Sequence, residues 1–121
     1  MADYTYRPSF EFLGADGKPV IPSGKPFLSA PYQNVDDLSE NIQYVVNSWS
    51  EEDRIPSPLK FAQDVHTHLV KCGHRSDEEN ILYDFDEHYK VKFIMNEVPY
   101  YFETWRTWLG ALNWKIEEDL A

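Results

Sequence analysis

The sequence contains one cysteine, few basic residues and no long apolar run, and each of these shortages excludes a class of protein. A single thiol, Cys72, cannot form an internal disulfide, which is typical of proteins in a reducing cytoplasm. No apolar run approaches the roughly 18 residues that cross a bilayer. The opening residues Met-Ala-Asp-Tyr-Thr-Tyr also lack the basic and apolar regions of a signal peptide. We therefore expect a cytoplasmic protein that does not bind a membrane.

Sequence motifs for catalysis are missing as well. The chain has no Gly-x-Ser-x-Gly elbow, no glycine-rich phosphate loop and no dinucleotide-binding glycine pattern. Cys72 falls on the apolar side of a predicted helix, where a thiol packs as a small hydrophobe. The sequence therefore predicts a protein that is not an enzyme and needs no cofactor.

Acidic residues are what the chain has in excess. It has 21 acidic and 11 basic residues among 121, a net charge of −10 and an isoelectric point near 4.7. Residues 1–33 are charge-neutral and rich in proline and glycine, so the whole excess lies in residues 34–121. Such a charge disfavours direct contact with nucleic acid, whose binding depends on Lys and Arg. A content of 42% hydrophobic residues is enough to form one core in a chain of this length, so we expect a single domain over residues 1–121.

Two helices are predicted in the middle of the chain. Asn34 is positioned to cap the first, in which apolar residues recur every three or four positions. The second has Ser57 as its N-cap, Pro58 at its first position and Gly73 just past its end.

An antiparallel meander is predicted over about residues 80–103, because apolar and polar residues alternate there. Pro99 indicates that the last of its strands lies at a sheet edge, since proline cannot donate to a ladder. A turn is expected at Asp86-Glu87-His88 and a hairpin loop at Asn96-Glu97. The strands themselves are expected at residues 81–85, 89–95 and 98–102.

Residues 104–119 are compatible with either a helix or a strand. Thr104 can cap a helix, whereas Gly110 would interrupt it and the apolar residues at 112, 114 and 116 alternate as in a strand. We favour the helix. The fold class is therefore α+β, a small antiparallel sheet packed against two or three helices. Six aromatic residues in this region predict core packing, with one or two rings exposed as anchors for a partner: Tyr100, Tyr101, Phe102, Trp105, Trp108 and Trp114.

Histidine and cysteine spacing raises a metal site as an alternative. His68 and Cys72 lie four residues apart on one helix, and His74 follows its end. A structural zinc site needs four ligands, and no second pair completes the set, so no metal site is predicted. For His66 and His68, two residues apart, we expect surface solvation.

Asp84, Asp86 and His88 alternate at the end of a predicted strand and raise a second alternative. Two carboxylates and an imidazole can bind a divalent cation or exchange protons. The opposite strand face carries Tyr83 and Phe85, so we expect the three polar side chains simply to lie in solvent. No catalytic residue is assigned.

The acidic residues occur in short groups, most of them at predicted element ends and turns. A compact chain of this length is about 35 Å across, a span over which duplex DNA carries about 20 charges. Carboxylates gathered on one side could match that density, whereas evenly spread ones could not. We assign these groups as candidate partner-binding residues, each standing in for a phosphate opposite Lys or Arg: Asp36, Asp37, Glu40, Glu51, Glu52, Asp53, Asp77, Glu78, Glu79, Asp84, Asp86 and Glu87.

In size, acidity, α+β pattern and lack of catalytic motifs, residues 34–121 resemble the small bacterial DNA-mimic proteins, such as the neisserial mimic that occupies the DNA-binding surface of the histone-like protein HU. These proteins share no sequence motif, so the resemblance assigns no residue. It implies that the partner is a basic, HU-like DNA-binding protein, and we expect the chain to be a monomer. The alternative is an immunity or inhibitor protein that neutralises a basic nuclease toxin or a defence enzyme through the same charge complementarity.

Overall fold

In a computed structural model, the described residues are 4–5, 11–20, 27–28, 32–80 and 87–120. They form two helices, a four-stranded antiparallel sheet and a separate two-stranded pair, which confirms the α+β fold class. The sheet order follows the chain, β3-β4-β5-β6. The elements are β1 (Tyr4–Thr5), β2 (Phe27–Leu28), α1 (Val35–Glu51), α2 (Pro58–Lys71), β3 (Arg75–Asn80), β4 (His88–Met95), β5 (Val98–Arg106) and β6 (Leu112–Glu118).

Both helices begin where the sequence predicts. The side chain of Asn34 accepts a hydrogen bond from the backbone N–H of Asp37 at 3.0 Å and so caps α1. Ser57 caps α2 in the same way, with Pro58 in the first turn. Gly73 follows the end of α2 with φ of 88°, a left-handed conformation that glycine adopts without steric cost.

The core lies between the two helices and one face of the sheet. Each helix buries one side, and β4 buries every second side chain. Trp49 of α1 meets the ring of Phe61 of α2 edge-on at 5.4 Å, and Phe61 meets Phe102 of β5 at 5.1 Å. This row of aromatic rings joins both helices to the sheet.

The loop at residues 11–20 belongs to the same core. Phe12 and Val20 are fully buried, and the Val20 N–H donates to the Phe12 carbonyl at 3.1 Å. Gly14 has φ of 68°, and a Cβ atom there would lie 2.7 Å from Nε1 of Trp49. Glycine is therefore required where this loop crosses α1.

Arg54, just past the end of α1, fixes the outside of that loop. Its Nε donates to both carboxylate oxygens of Asp16 at 3.0 Å, and its Nη2 donates to the carbonyls of Leu13 and Lys18. The Ala15 N–H donates back to the Arg54 carbonyl at 2.9 Å. These contacts hold one guanidinium in a single orientation and tie this part of the neutral N-terminal third to the helices.

The helix expected over residues 104–119 is wrong. The chain continues in β5 to Arg106, turns around residues 108–110 and returns as β6. Gly110 has φ of 89° and lies at this turn. The alternation of apolar and polar residues after Gly110 decides the structure, because a strand there can pair with β5 and place its apolar side chains against the core.

The edge position expected for Pro99 is also wrong, because β5 lies between β4 and β6. The Pro99 carbonyl accepts a hydrogen bond from the Asp119 N–H at 2.9 Å. Because the nitrogen and the carbonyl of one strand residue point to the same side, the Pro99 nitrogen also faces the end of β6. The last residue of β6 itself is Glu118, opposite Tyr100. Proline is therefore tolerated at the end of the ladder, where no hydrogen bond to β4 is lost.

The described strands at the start of the predicted meander have other bounds than those expected. The expected strand at 81–85 lies outside the described residues, and the described strand before β4 is the polar segment β3. His88, expected in a turn, is the first residue of β4. The hairpin at Asn96-Glu97 is confirmed, with φ of 53° and 66° at the two residues.

Candidate functional site

The outer face of α1 carries carboxylates at both ends and amides between them. Asp36, Glu40, Gln43, Asn47 and Glu51 follow each other at spacings of three or four residues, so they lie on one side of the helix. All five are exposed, and Gln43 Nε2 donates to Asn47 Oδ1 at 2.9 Å. We call these five residues the α1 outer face. Sequence reasoning missed the two amides, although the spacing was visible in the polar positions of the predicted helix.

The α1 outer face contains no cation. There is no Lys or Arg anywhere in α1. Among the described residues, no ion pair involves Asp36, Glu40 or Glu51. In the described part of the chain, solvent and salt rather than a paired basic side chain weaken the negative potential of this face.

The two ends of α1 differ in what folding requires of them. Asp36 and Asp37 lie in the first turn, where the positive end of the helix dipole favours carboxylates. At the C-terminal end the dipole disfavours negative charge, yet Glu51, Glu52 and Asp53 are all exposed there. Helix stability therefore accounts for the acidic residues at the start of α1 but not for those at its end.

Arg54 compensates part of the acidic group that ends α1. Its Nη1 lies 3.1 Å from Oε2 of Glu52, while its Nε is bound to Asp16. Asp53 has φ of 55°, a conformation that acidic and amide residues tolerate better than most others. One basic side chain thus faces two carboxylates, and Glu51 and Asp53 stay outside that contact.

The carboxylates of the sheet are interleaved with lysines. Across the β3–β4 ladder, Asp77 lies opposite Lys92 and Glu79 lies opposite Lys90. Glu103, in β5, is only 13% exposed, and its Oε1 accepts a hydrogen bond from Lys90 Nζ at 3.1 Å. Burial raises the pKa of Glu103, but the hydrogen bond and charge of Lys90, with Lys115 and His88 nearby, hold it below its ordinary value. The sheet therefore presents alternating charges rather than a continuous acidic surface.

The candidate residues are thus divided by the fold. Six of the twelve lie on α1 or just after it, and Asp77 lies on β3 among lysines. The backbones of Glu78 and Glu79 belong to β3 as well, and exposed Glu87 precedes β4. Asp84 and Asp86 lie outside the described residues. His88, the third member of their predicted group, contacts the Glu103 carboxylate at 3.4 Å.

A buried polar cluster links α2 to the residues before α1. Asn41 Nδ2 donates to Tyr32 Oη at 2.6 Å, which leaves the phenolic proton to donate to Nε2 of His68. The Tyr32 N–H donates to Nε2 of His74 at 3.1 Å. Both imidazoles must be neutral at Nε2 to accept these bonds. Tyr32 is therefore held by two neutral histidines.

Burial sets the charge state of this cluster. It lowers the pKa of His68 to about 4, with His74 acting in the same direction and the Glu11 carboxylate opposing. The His68 Nδ1 and Glu11 Oε2 atoms, 4.0 Å apart, are therefore not a salt bridge at neutral pH. Burial also raises the pKa of Tyr32 well above 10, so its hydroxyl stays protonated.

The surface solvation expected for His66 and His68 is wrong for His68, whereas His66 is half-buried. His68 is 4% exposed, and His66 Nδ1 is 2.8 Å from Ser76 Oγ of β3. The Cys72 Sγ atom is 3.7 Å from His68 Nε2, the nitrogen that already faces Tyr32. Within the described ranges, no three His, Cys, Asp or Glu side chains are grouped as metal ligands would be. The cluster is built as a hydrogen-bonded core rather than as an open coordination site.

One known protein family matches most of this chain. The profile of a domain of unknown function, DUF7254, matches residues 25–120. The chain belongs to this family. No curated protein and no solved structure matches it. In this DUF7254 chain the matched residues include α1, α2 and the four-stranded sheet, and hence the α1 outer face and the Tyr32 cluster. Within the described residues, no helix has both the length and the apolar composition needed to span a membrane.

Proposed function

We propose that this protein is a non-catalytic acidic binding protein, and that α1 is the element that contacts a basic, nucleic-acid-binding surface. The observation that carries the proposal is that Glu51 and Asp53, at the C-terminal end of α1, form no ion pair with any residue that the structure describes. Helix electrostatics disfavour carboxylates at that position. A cationic partner that covers them would turn an unfavourable feature of the free chain into binding energy.

The dimensions of α1 support phosphate mimicry in a limited form. Asp36 and Glu51 lie about 22 Å apart along the helix, at 1.5 Å per residue. One DNA strand carries about six phosphates over that length. The helix and the two residues after it supply six carboxylates, which is the count of one strand and about half that of a duplex: Asp36, Asp37, Glu40, Glu51, Glu52 and Asp53.

This charge arrangement supports a basic partner. Two acidic groups separated by neutral amides fit a surface with two groups of Lys or Arg, such as the DNA-binding surface of an HU-like protein. The sheet is the less suitable contact face, because Lys90 and Lys92 lie opposite its carboxylates. An immunity or inhibitor protein against a basic nuclease would use the same face, and the two functions differ in breadth of binding rather than in geometry.

A competition assay with a purified HU-like protein tests the proposal. Affinity should fall steeply between about 50 mM and about 200 mM salt, and short duplex DNA should displace the protein. The variant Asp36→Asn/Glu40→Gln/Glu51→Gln keeps side-chain shape and removes three charges. It should bind about tenfold more weakly, since each exposed charge contact contributes about 0.5 kcal/mol.

The matched control removes the same number of charges elsewhere. Asp77→Asn/Glu87→Gln/Glu97→Gln alters three exposed carboxylates that are not on α1. This variant should lose less than about threefold in affinity. Equal losses in the two triple variants would show that only net charge matters and would refute the role of α1. Binding to a nuclease but not to the HU-like protein would favour the inhibitor function.

A further inference from the structure

β6 is the last strand of the four-stranded sheet. Among the described strands, β6 pairs only with β5. The Asp119 N–H and the Ala111 carbonyl both bond toward β5, and backbone groups alternate sides along a strand. Odd-numbered residues of β6 therefore bond to β5. The N–H and C=O groups that point away from β5 belong to Leu112, Trp114, Ile116 and Glu118.

This edge has few of the features that prevent strand addition. β6 has seven residues in unbroken register with β5, without a proline or an extra residue that would bend it. On the side that faces the helices, Trp114 and Ile116 pack against the core but remain only partly buried. On the other side, Lys115 and Glu117 alternate in sign, and within the chain Lys115 Nζ lies 3.1 Å from Glu117 Oε1. The edge therefore offers backbone groups that no other described strand pairs, an apolar side and a charge pattern that can complement itself.

In place of the monomer expected from the sequence, we propose a dimer in which a second copy of this chain pairs antiparallel with β6. Ile116 lies opposite Ile116 of the second copy, so that the two sheets form one of eight strands. In this register Lys115 lies opposite Glu117 of the second copy, and the reciprocal pair repeats the contact. Leu120, which is 85% exposed in the single chain, lies opposite Leu112. Two oppositely charged pairs and two leucine pairs are thus formed by one twofold axis.

Charge selects this register over its neighbours. A shift by two residues in one direction places Lys115 opposite Lys115, and like charges directly opposite are destabilising. The opposite shift places Glu117 opposite Glu117 of the second copy, which is destabilising for the same reason. Only pairing about Ile116 gives every Lys115 and Glu117 an opposite charge across the interface.

Salt separates this self-association from the proposed partner binding. Each chain carries a net charge of −10, so two copies repel each other over long range, and salt screens that repulsion. Dimer formation should therefore strengthen with added salt. Binding of a basic partner should weaken under the same change, so the two associations can be distinguished and can fail independently.

Sedimentation equilibrium of the full chain over micromolar to millimolar concentration tests the inference. The wild-type mass should rise from one chain to two, more readily at high salt. Glu118→Pro removes an N–H that points away from β5, so it should cost no hydrogen bond within the chain while blocking the dimer. We expect the dimer dissociation constant to rise about tenfold or more. Glu118→Gln, which keeps the N–H, should dimerise at least as well as the wild type.

A charge exchange provides a second, independent measurement. Glu117→Lys, which leaves Lys115 beside Glu103, should weaken the dimer, because it places a lysine at position 117 opposite Lys115 of the second copy. Lys115→Glu/Glu117→Lys should restore it, because the exchanged pair is complementary again. A wild-type chain that stays at the mass of one copy at every concentration would overturn the inference. A dimer that tolerates both Glu118→Pro and Glu117→Lys would also overturn it, since the two chains would then meet elsewhere.

Discussion

Replacing His68 with glutamine should make the fold less sensitive to acid. His68 is 4% exposed, and its Nε2 accepts the hydroxyl proton of Tyr32. The glutamine side chain can still accept that hydrogen bond through its oxygen, but it cannot bind a proton near neutral pH. The variant therefore separates the titration of the imidazole from its role as an acceptor.

The magnitude follows from the two pKa values of His68. Burial lowers the pKa to about 4 in the folded chain, against 6.5 in the unfolded chain. As pH falls below 6.5, the unfolded chain binds the proton first, so folding stability is lost between pH 6.5 and about 4. This loss is about 2 kcal/mol by pH 5 and about 3 kcal/mol by pH 4. At pH 7 and above the contribution is fully present.

Urea denaturation at pH 7, 5 and 4, followed by tryptophan fluorescence, measures the effect. The wild-type free energy of unfolding should fall with pH more steeply than that of His68→Gln. Burial also lowers the pKa of His74 and raises the pKa of Asp64, with Lys60 opposing the latter. Those two groups are present in both proteins, so the difference between the curves reports His68. Parallel curves would refute the assignment of a neutral, buried imidazole.

Three further predictions concern single positions. Gly14 and Gly17 both have φ near 70°, but only Gly14 lies against Trp49. In chemical denaturation, Gly14→Ala should therefore lower the free energy of unfolding by about 3 kcal/mol and Gly17→Ala by about 1 kcal/mol. Equal losses would contradict the contact with Trp49. Burial raises the pKa of Cys72 to about 11, so at pH 8 its thiol should react with a disulfide reagent about 100-fold more slowly in the folded than in the unfolded chain. Equal rates would show an accessible thiolate. The Trp108 ring is 88% exposed, so Trp108→Ser should change the free energy of unfolding by less than about 0.5 kcal/mol; a larger loss would place the ring in a contact.

The helices and the central hairpin were predictable because their signals are local. Asn34 and Ser57 each precede an amphipathic segment, and the Asn96-Glu97 loop separates two alternating runs. In contrast, β3 is polar along its whole length, so its partner strand β4 rather than its own pattern defines it. For residues 104–119, two periodicities competed, and the available edge of β5 decided between them.

The candidate site was predictable only in part, because sequence gives the residues but not their neighbours. Asp36 and Glu51 share a helix face, which the spacing of three and four residues implies. The lysines opposite Asp77 and Glu79 depend on strand register, which sequence alone did not supply. His68 was expected in solvent because nothing near it in the sequence shows that Tyr32, 36 residues away, would cover it.

The loop at residues 11–20 has a practical consequence for anyone who trims the chain to its family match. That match begins at residue 25, so a fragment cut there would lack Phe12 and Val20, which are fully buried. Losing those two side chains removes about 4 kcal/mol of hydrophobic stabilisation, a large share of the 5–15 kcal/mol that typically separates folded from unfolded domains. Trp49 and His68 would also be uncovered on the side that Phe12 now contacts. The stretch shared by relatives is thus shorter than the stretch that must be expressed to obtain a stable protein.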